Sequence, residues 1–484
     1  MLKRLHSRTT AQPEVLIDDD GKIDKQQTQF QEKPSTVNEF THIGILFLVV
    51  RVIQYSLILL TPLSSFDNST KLLLNTYASE EEQNKFINKH LINKLLSWDS
   101  VYFVKGMMSS SSLPQYEHEF AFSITWTNIL KHVYQKLHLA HEYEPVSFYG
   151  ILKMGIILEN ILHFLSIIIL YHLTYLVFSP KGSITHNRYA AQMAKKTAIL
   201  HVVASAGGFL LGIYSEPLSC LLSFMGMLAR EHCTKDVTYK YSFMNPIKSF
   251  ILYTIVSTIC FSVATWNRSN CILLGIFYLY DLLQLMKIKS YKRAIQFPLL
   301  SGLLMLSSIM IQQYYIPYKK FCPERGEWCL TSIFPNTYLS FITKESLYSY
   351  IQSHYWNVGF MSYWTPNNIP NFLFALPNLI IIPYASFYYS WIYPLHNLRP
   401  LILISVAFWI LMLFVANTQI INRVTTFIPL HLWYISDRLV KNTGDHKMES
   451  VTKNDDLLVK YYIYWSVIWL LVQTILFASF LPPA

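Results

Sequence analysis

The chain has 484 residues, of which only 14% are charged, 52% are hydrophobic and 15% are aromatic. Ordinary globular domains are about 25% charged, so a water-soluble protein of this size is excluded, and 15 glycines and 6 cysteines exclude collagen-like and disulfide-scaffold chains. A mean hydropathy of +0.28 with a net charge of +10 indicates an all-α polytopic membrane protein, in which basic charge reports topology before it reports nucleic acid.

Residues 1–40 hold Asp18-Asp19-Asp20, several Gln and no apolar run, so a disordered cytosolic tail is expected. Asp18 and Asp20 match a metal-binding DxD pattern, but a tail of this kind is a poor place for it. A spanning helix needs about 20 apolar residues. Eight stretches qualify: 41–61, 148–178, 249–266, 271–286, 294–316, 371–393, 400–420 and 461–481. Three weaker ones lie at 198–213, 217–229 and 424–436. The first two of these are interrupted by Tyr214-Ser215-Glu216-Pro217, so short tilted spans or a re-entrant hairpin are expected.

With a cytosolic N-terminus and all eleven segments crossing, 24 of the 39 basic residues fall on the cytosolic side. The stretch 287–293 is the strongest anchor, with Lys287, Lys289, Lys292 and Arg293 and no acid. The opposite side then carries two long loops, about 62–147 and 317–370, and short turns whose only basic residues are Arg268 and Arg423. Asn68-Ser69-Thr70 in the first loop is a glycosylation sequon. Asn267-Arg268-Ser269 also matches, at a membrane edge where modification is not expected. Cys322 and Cys329 in the second loop have the spacing of a small disulfide loop in an oxidising lumen. The other four cysteines read as packing residues.

Five clusters on that side carry candidate chemistry. Leu91 to Trp98 reads as a short amphipathic helix at the interface, with Trp98 as its anchor and Asp99 held near the bilayer. Asp99 is either a turn residue or a reactive carboxylate. Tyr116-Glu117-His118-Glu119-Phe120 is either a solvated acidic turn, a base or hydroxyl-binding site, or, with three convergent ligands, a metal site. Glu216 sits between two apolar segments, as a helix cap or as a group facing a cavity. Arg268 and Arg423 either snorkel to headgroups or offer a planar fork to phosphate. His354-Tyr355-Trp356-Asn357, running on to Asn371, is either an aromatic belt or a platform for a sugar ring, with Asn357 or His354 on its hydroxyls.

These residues also resemble a known family. The chain is similar to the GPI mannosyltransferase II (PIG-V-like) family, within the GT-C superfamily of dolichol-dependent transferases. The resemblance rests on Trp98-Asp99-Ser100, Tyr116 to Phe122, Tyr214-Ser215-Glu216, Arg268-Ser269-Asn270, Tyr355 to Phe360, Tyr363-Trp364, Asn371-Phe372-Leu373, and Gln419 with Arg423. It covers roughly 42–481. Ser97, Tyr102 and Ser362 stand where relatives carry Arg, His and often Arg.

The resemblance implies a GT-C-type helix bundle over 41–484 whose long lumenal loops carry short interfacial helices. It places the protein in the endoplasmic reticulum membrane, active site to the lumen. The implied reaction moves mannose from dolichyl-phosphate-mannose to the mannosylated GPI lipid, making the α-1,6-linked second mannose with inversion. Asp99 is the expected base, with Glu117 and Glu119 in reserve. Arg268, Arg423 and then His354 are expected on the donor phosphate. Glu216, Trp98, His118, Trp356, Asn357 and Gln419 are expected to bind substrate. No metal or other cofactor and no nucleic acid is expected; a small accessory membrane subunit is. Alternatives are another GT-C transferase, a lipid transporter or flippase, and a non-catalytic subunit of a GPI-processing complex. Acids clustered in a lumenal loop, with no internal repeat, favour the transferase.

Overall fold

The computed structural model describes residues 36–62, 68–138, 147–179, 184–238, 246–322, 326–330, 344–393, 395–443 and 453–481. These residues form helices and turns and no strand. The chain divides into residues 1–41 and 42–484. Of the first unit only the start of one helix is described; the expected tail up to residue 35, with Asp18 and Asp20, lies outside the described residues.

Twelve helices of 14 residues or more follow in order among the described residues; one, Ile124–His138, lies in the first long loop. The other eleven are α1 (Thr36–Leu60), α2 (Phe148–Phe178), α3 (Ile184–Val202), α4 (Glu216–Thr238), α5 (Phe250–Asn267), α6 (Ser269–Lys287), α7 (Tyr291–Phe321), α8 (Pro366–Ile392), α9 (Arg399–Phe414), α10 (Leu430–Thr443) and α11 (Lys453–Ala478). All eight firm spans are helical. Seven are long and apolar enough to cross a membrane, and the eighth, α9, is a 16-residue apolar helix.

The weak pair differs from expectation. At 19 and 23 residues, α3 and α4 are about 28 and 34 Å long; α3 is a helix of mixed polar and apolar residues that enters the expected 198–213 stretch only at residues 198–202, and α4 continues past its apolar stretch into a polar end. Between them the backbone unwinds and is buried throughout residues 204–215. Pro217 then sits in the first turn of α4, where its missing N–H costs nothing.

Irregular backbone inside a membrane protein survives only where protein groups replace water as partners. Here they come from four helices. From α1, Gln54 donates to the Gly207 carbonyl (3.3 Å) and the Tyr55 hydroxyl to that of Leu211 (3.0 Å). From α11, Gln473 accepts the Gly208 N–H (2.9 Å) and the Trp469 indole donates to the Ser205 carbonyl (3.0 Å). Glu159 of α2 accepts the Tyr214 N–H (2.9 Å), and Asn267 of α5 donates to the Ser215 carbonyl (2.6 Å). Gly207 admits α11, since a Cβ there would lie 2.4 Å from Leu470 Cδ1.

The segment Asn88 to Leu96 is not an interfacial helix. Ile92, Leu95 and Leu96 are buried in a core shared with Phe209, Leu211 and Phe477. Lys94 is buried with them and donates to the carbonyls of Ile58, Leu59 and Thr61 at the end of α1 (2.8, 3.2 and 2.5 Å). A cation there satisfies the carbonyls that a helix C-terminus leaves open.

The two long loops meet. Phe122 packs edge-on to Trp356 and His118 against Tyr355. Phe120, Phe321, Trp328, Leu347, Tyr350 and Ile351 form a small core beneath them. Cys322 and Cys329 are joined by a disulfide, and the other four cysteines are buried thiols. Asn68 is exposed. Asn267 is 4% exposed and its amide donates to Ser215 and Ser219, so it is a packing residue rather than a glycan acceptor.

Candidate active site

Where α4 begins, four charges from distant parts of the chain converge. Glu216 opens α4 and is 1% exposed. Its Oε1 accepts from Arg268 Nη1 at 2.8 Å and from Arg423 Nε. Arg423 Nη1 reaches on to Asp99 Oδ2 at 2.6 Å. Two carboxylates and two guanidiniums therefore alternate along one chain of contacts, which compensates their burial; a single charge there would be costly.

The local backbone explains each position. Trp98 adopts φ 59°, the left-handed region that a bulky residue rarely enters. This turn aims Asp99 back toward the bundle at the start of the helix Ser100–Met108, while the Trp98 ring stacks on Phe480. Arg268 follows the last turn of α5 in an extended conformation. Gln419 and Arg423 lie on consecutive short helices, Thr418–Ile420 and Ile421–Val424, between α9 and α10. The Arg423 guanidinium lies over the rings of Phe209 (4.6 Å) and Tyr214 (4.9 Å).

Valences remain open at this site. Arg423 Nη2, Arg268 Nε and Glu216 Oε2 have no hydrogen-bond partner among the described residues. Asp99 is about a third exposed (32%). The arrangement presents a carboxylate beside spare guanidinium donors, which suits a hydroxyl on one side and a phosphate on the other.

Glu117 and Glu119 do not join it. Glu119 forms a pair with Lys105 at 2.5 Å and accepts the backbone N–H groups of Gln115 (3.1 Å) and Tyr116 (3.2 Å). It is a capping residue of the turn Glu117–Ala121. Glu117 faces the disulfide loop and accepts the Trp328 N–H. Gly326 has φ 155° and a Cβ there would lie 2.9 Å from the disulfide sulfur of Cys329 and 2.6 Å from Glu117 Oε1, so glycine is favoured. Burial pushes the Glu117 carboxyl up from its ordinary value, the Trp328 hydrogen bond opposes this, and nearby Glu327 adds to the rise. His118 lies among the rings of Tyr102, Tyr116 and Tyr355. The three side chains of Glu-His-Glu thus have separate neighbours, and no cluster of three metal-ligating side chains occurs among the described residues.

His354 pairs with Glu327 at 3.1 Å and stacks on Tyr350, beside Glu117 rather than beside the arginines. Asn357 ends the helix Leu347–Trp356 in the left-handed conformation that Asn tolerates, so its backbone accounts for it. Trp356 remains 39% exposed. It belongs to a ring surface with Phe122 and Tyr102, which stack at 4.0 Å one helical turn beyond Asp99. Gln419 is half-buried, and its side chain makes no hydrogen bond among the described residues. Ser97 uses its hydroxyl on the Lys94 carbonyl, and Ser362 closes a turn onto Asn357 and Gly359.

Three residues of the site are absent from the expectations above: Tyr214 as a contact of Arg423, Asn267 as a brace of the Ser215 turn, and Glu159. Glu159 had a signal: it is an acid in the middle of a firm span, where ionisable groups are rare and functional by default.

Residues 41–484 match the sequence profile of the family described as Mannosyltransferase (PIG-V). The chain is 50% identical to GPI mannosyltransferase 2 of Saccharomyces cerevisiae over 439 residues, covering 90% of this chain and 98% of that protein. It is 49% identical to GPI mannosyltransferase 2 of Candida glabrata, covering 91% and 98%, and 43% identical to that of Kluyveromyces lactis, covering 93% and 99%. With a profile match over nearly the whole chain and relatives aligned end to end, the chain belongs to the mannosyltransferase (PIG-V) family.

Proposed function

We propose that the protein is a mannosyltransferase of GPI-anchor biosynthesis that transfers the second mannose, in α-1,6 linkage, from dolichyl-phosphate-mannose to the mannosylated GPI lipid. The proposed setting is the lumenal face of the endoplasmic reticulum membrane. The activity of the relatives, named GPI mannosyltransferase 2, supports the pathway. The observation that carries the chemistry is the Asp99–Arg423–Glu216–Arg268 chain with its open donors.

The donor's anomeric bond is β and the product's is α, so the configuration inverts in one displacement. Asp99 takes the proton of the acceptor 6-hydroxyl as its oxygen bonds to the mannose anomeric carbon. The bond from that carbon to the phosphate oxygen breaks, and its electron pair leaves on the lipid phosphate. Arg423 Nη2 and Arg268 stabilise that charge. Glu216 fixes both guanidiniums so that little reorganisation accompanies the step. The exposed rings of Tyr102 and Trp356 form one wall for the sugar. Tethering both lipid substrates in one bilayer supplies proximity. The phosphate leaves readily, and we assign no metal to the step; activity in EDTA equal to that with divalent cation is the expected result.

Depletion of the protein followed by analysis of GPI lipids tests the reaction. A one-mannose intermediate should accumulate. Accumulation of a two-mannose species would reassign the protein to the next transfer.

A further inference from the structure

Glu159 is 0% exposed in the middle of α2. A carboxylate in such a place is costly unless its position has a use. Its Oε2 accepts the Tyr214 N–H at 2.9 Å, and its Oε1 has no hydrogen-bond partner among the described residues. The neighbouring Asn160 donates to the Tyr55 hydroxyl (2.7 Å), which holds the Leu211 carbonyl (3.0 Å). Two consecutive residues of α2 thus hold the unwound segment at Leu211 and Tyr214, just before Glu216.

Tyr214 is the residue through which the site is assembled. Its ring lies under the Arg423 guanidinium (4.9 Å). Its hydroxyl donates to the Ser97 carbonyl at 2.6 Å, two residues before Asp99. Its chain continues through Ser215, whose hydroxyl accepts from Arg268, to Glu216. One backbone N–H therefore sets the position of a ring, a hydroxyl and a chain direction that between them locate Asp99, Arg423 and Glu216.

We infer that Glu159 is a positioning residue for the transferase site, acting through the Tyr214 N–H rather than by touching substrate. The inference rests on the proposed assignment of Asp99, Arg423 and Glu216 to the reaction. Its requirement is an acceptor oxygen at the reach of a Glu side chain. Gln keeps that oxygen and loses the charge. Asp keeps the carboxyl group and withdraws the oxygen by about 1.5 Å, one carbon–carbon bond.

The test compares Glu159→Gln and Glu159→Asp in the full-length protein in membranes, using dolichyl-phosphate-mannose and a mannosylated GPI acceptor. Unfolding temperature in detergent identifies folded preparations. The expected result is Glu159→Gln within about threefold of wild type and Glu159→Asp reduced at least about tenfold in kcat with KM little changed, because the chemistry is misaligned while the substrate surface is kept. A merely structural role would lower the amount of folded protein and leave kcat per folded molecule unchanged. Wild-type turnover in both variants overturns the inference, as does an active Asp variant with an inactive Gln variant, or equal loss in both. If one variant does not fold, Glu159→Ser supplies the missing arm, with a side chain too short to reach Tyr214; turnover per folded molecule equal to wild type overturns the inference. Asp99→Asn assayed in parallel separates the two readings. An active Asp99→Asn defeats the site assignment, whereas an inactive one beside a fully active Glu159→Asp defeats only the positioning role.

Discussion

The turn that opens α4 and the loop closed by Cys322 and Cys329 hold the same residue types: carboxylates, a basic partner, aromatic rings. They are built in opposite ways. At α4 the partners of Glu216 come from α5 and the Ile421–Val424 helix, and Asp99 joins from the first long loop. Nothing local holds them, so the geometry exists only when the whole bundle is packed. In the disulfide region the contacts lie within the two loops: Glu117 with Gly326 and Trp328, His354 with Glu327, Glu119 with Lys105. The first arrangement leaves Arg423 Nη2 and Arg268 Nε open as donors beside Glu216 Oε2, whereas in the second the open buried atom is an acceptor, Glu117 Oε1. A motif's density of acids therefore says less about reactivity than the groups those acids meet: guanidiniums with open donors for Glu216, backbone N–H groups and a lysine for Glu117 and Glu119.

Exchanging charge geometry at the first region is expected to have the largest effect. Arg423→Lys keeps the charge but cannot bridge Asp99 and Glu216 together, and kcat should fall by about 10²-fold or more. The equivalent change in the second region, Glu119→Gln, removes a pair whose Lys105 side is 43% exposed. It should cost at most about 1 kcal/mol of stability and leave turnover within about threefold. A Glu119→Gln enzyme as impaired as Arg423→Lys, in membrane transfer assays, would break the comparison.

Opening the disulfide should affect stability before chemistry. Cys322→Ser releases a constraint over a sequence separation of 7, which the loop-entropy relation puts at about 2 kcal/mol. Thermal unfolding should show this, with kcat per folded molecule close to wild type; a loss of kcat without loss of stability would place the loop in the reaction.

The smallest effect concerns Glu117. Its carboxyl is raised by burial, so the folded protein holds this proton more tightly than the unfolded chain does. Folding stability is then highest below the ordinary carboxylate value and declines as pH rises through the interval up to the raised value. Glu117→Gln should flatten that decline in unfolding temperature measured against pH. An unchanged slope would mean that ionisation of Glu117 is not linked to folding.

Much of this was legible from the sequence. Eight spans, the two long loops, the Cys322–Cys329 pair and the exceptional positions of Arg268 and Arg423 follow from hydropathy, from cysteine spacing and from the positive-inside rule. These signals are local, because the bilayer imposes its length and charge preferences on each segment separately. Several assignments were not legible. Leu91 to Trp98 has an amphipathic pattern in either an interface or a core, and only the neighbours Phe209 and Phe477 decide between them. Glu117 and Glu119 look more chemical than Glu216, yet their partners make them structural.

By itself the sequence determined the class of protein and its long apolar helices, and it singled out two arginines in short turns, Arg268 and Arg423. The tertiary structure alone decided which of the acids meet them. Arg423 lies 324 positions from Asp99 and 207 from Glu216. No local propensity encodes a contact at that separation. It is set by an unwound segment held by side chains from four helices, whose buried backbone groups have no water to turn to.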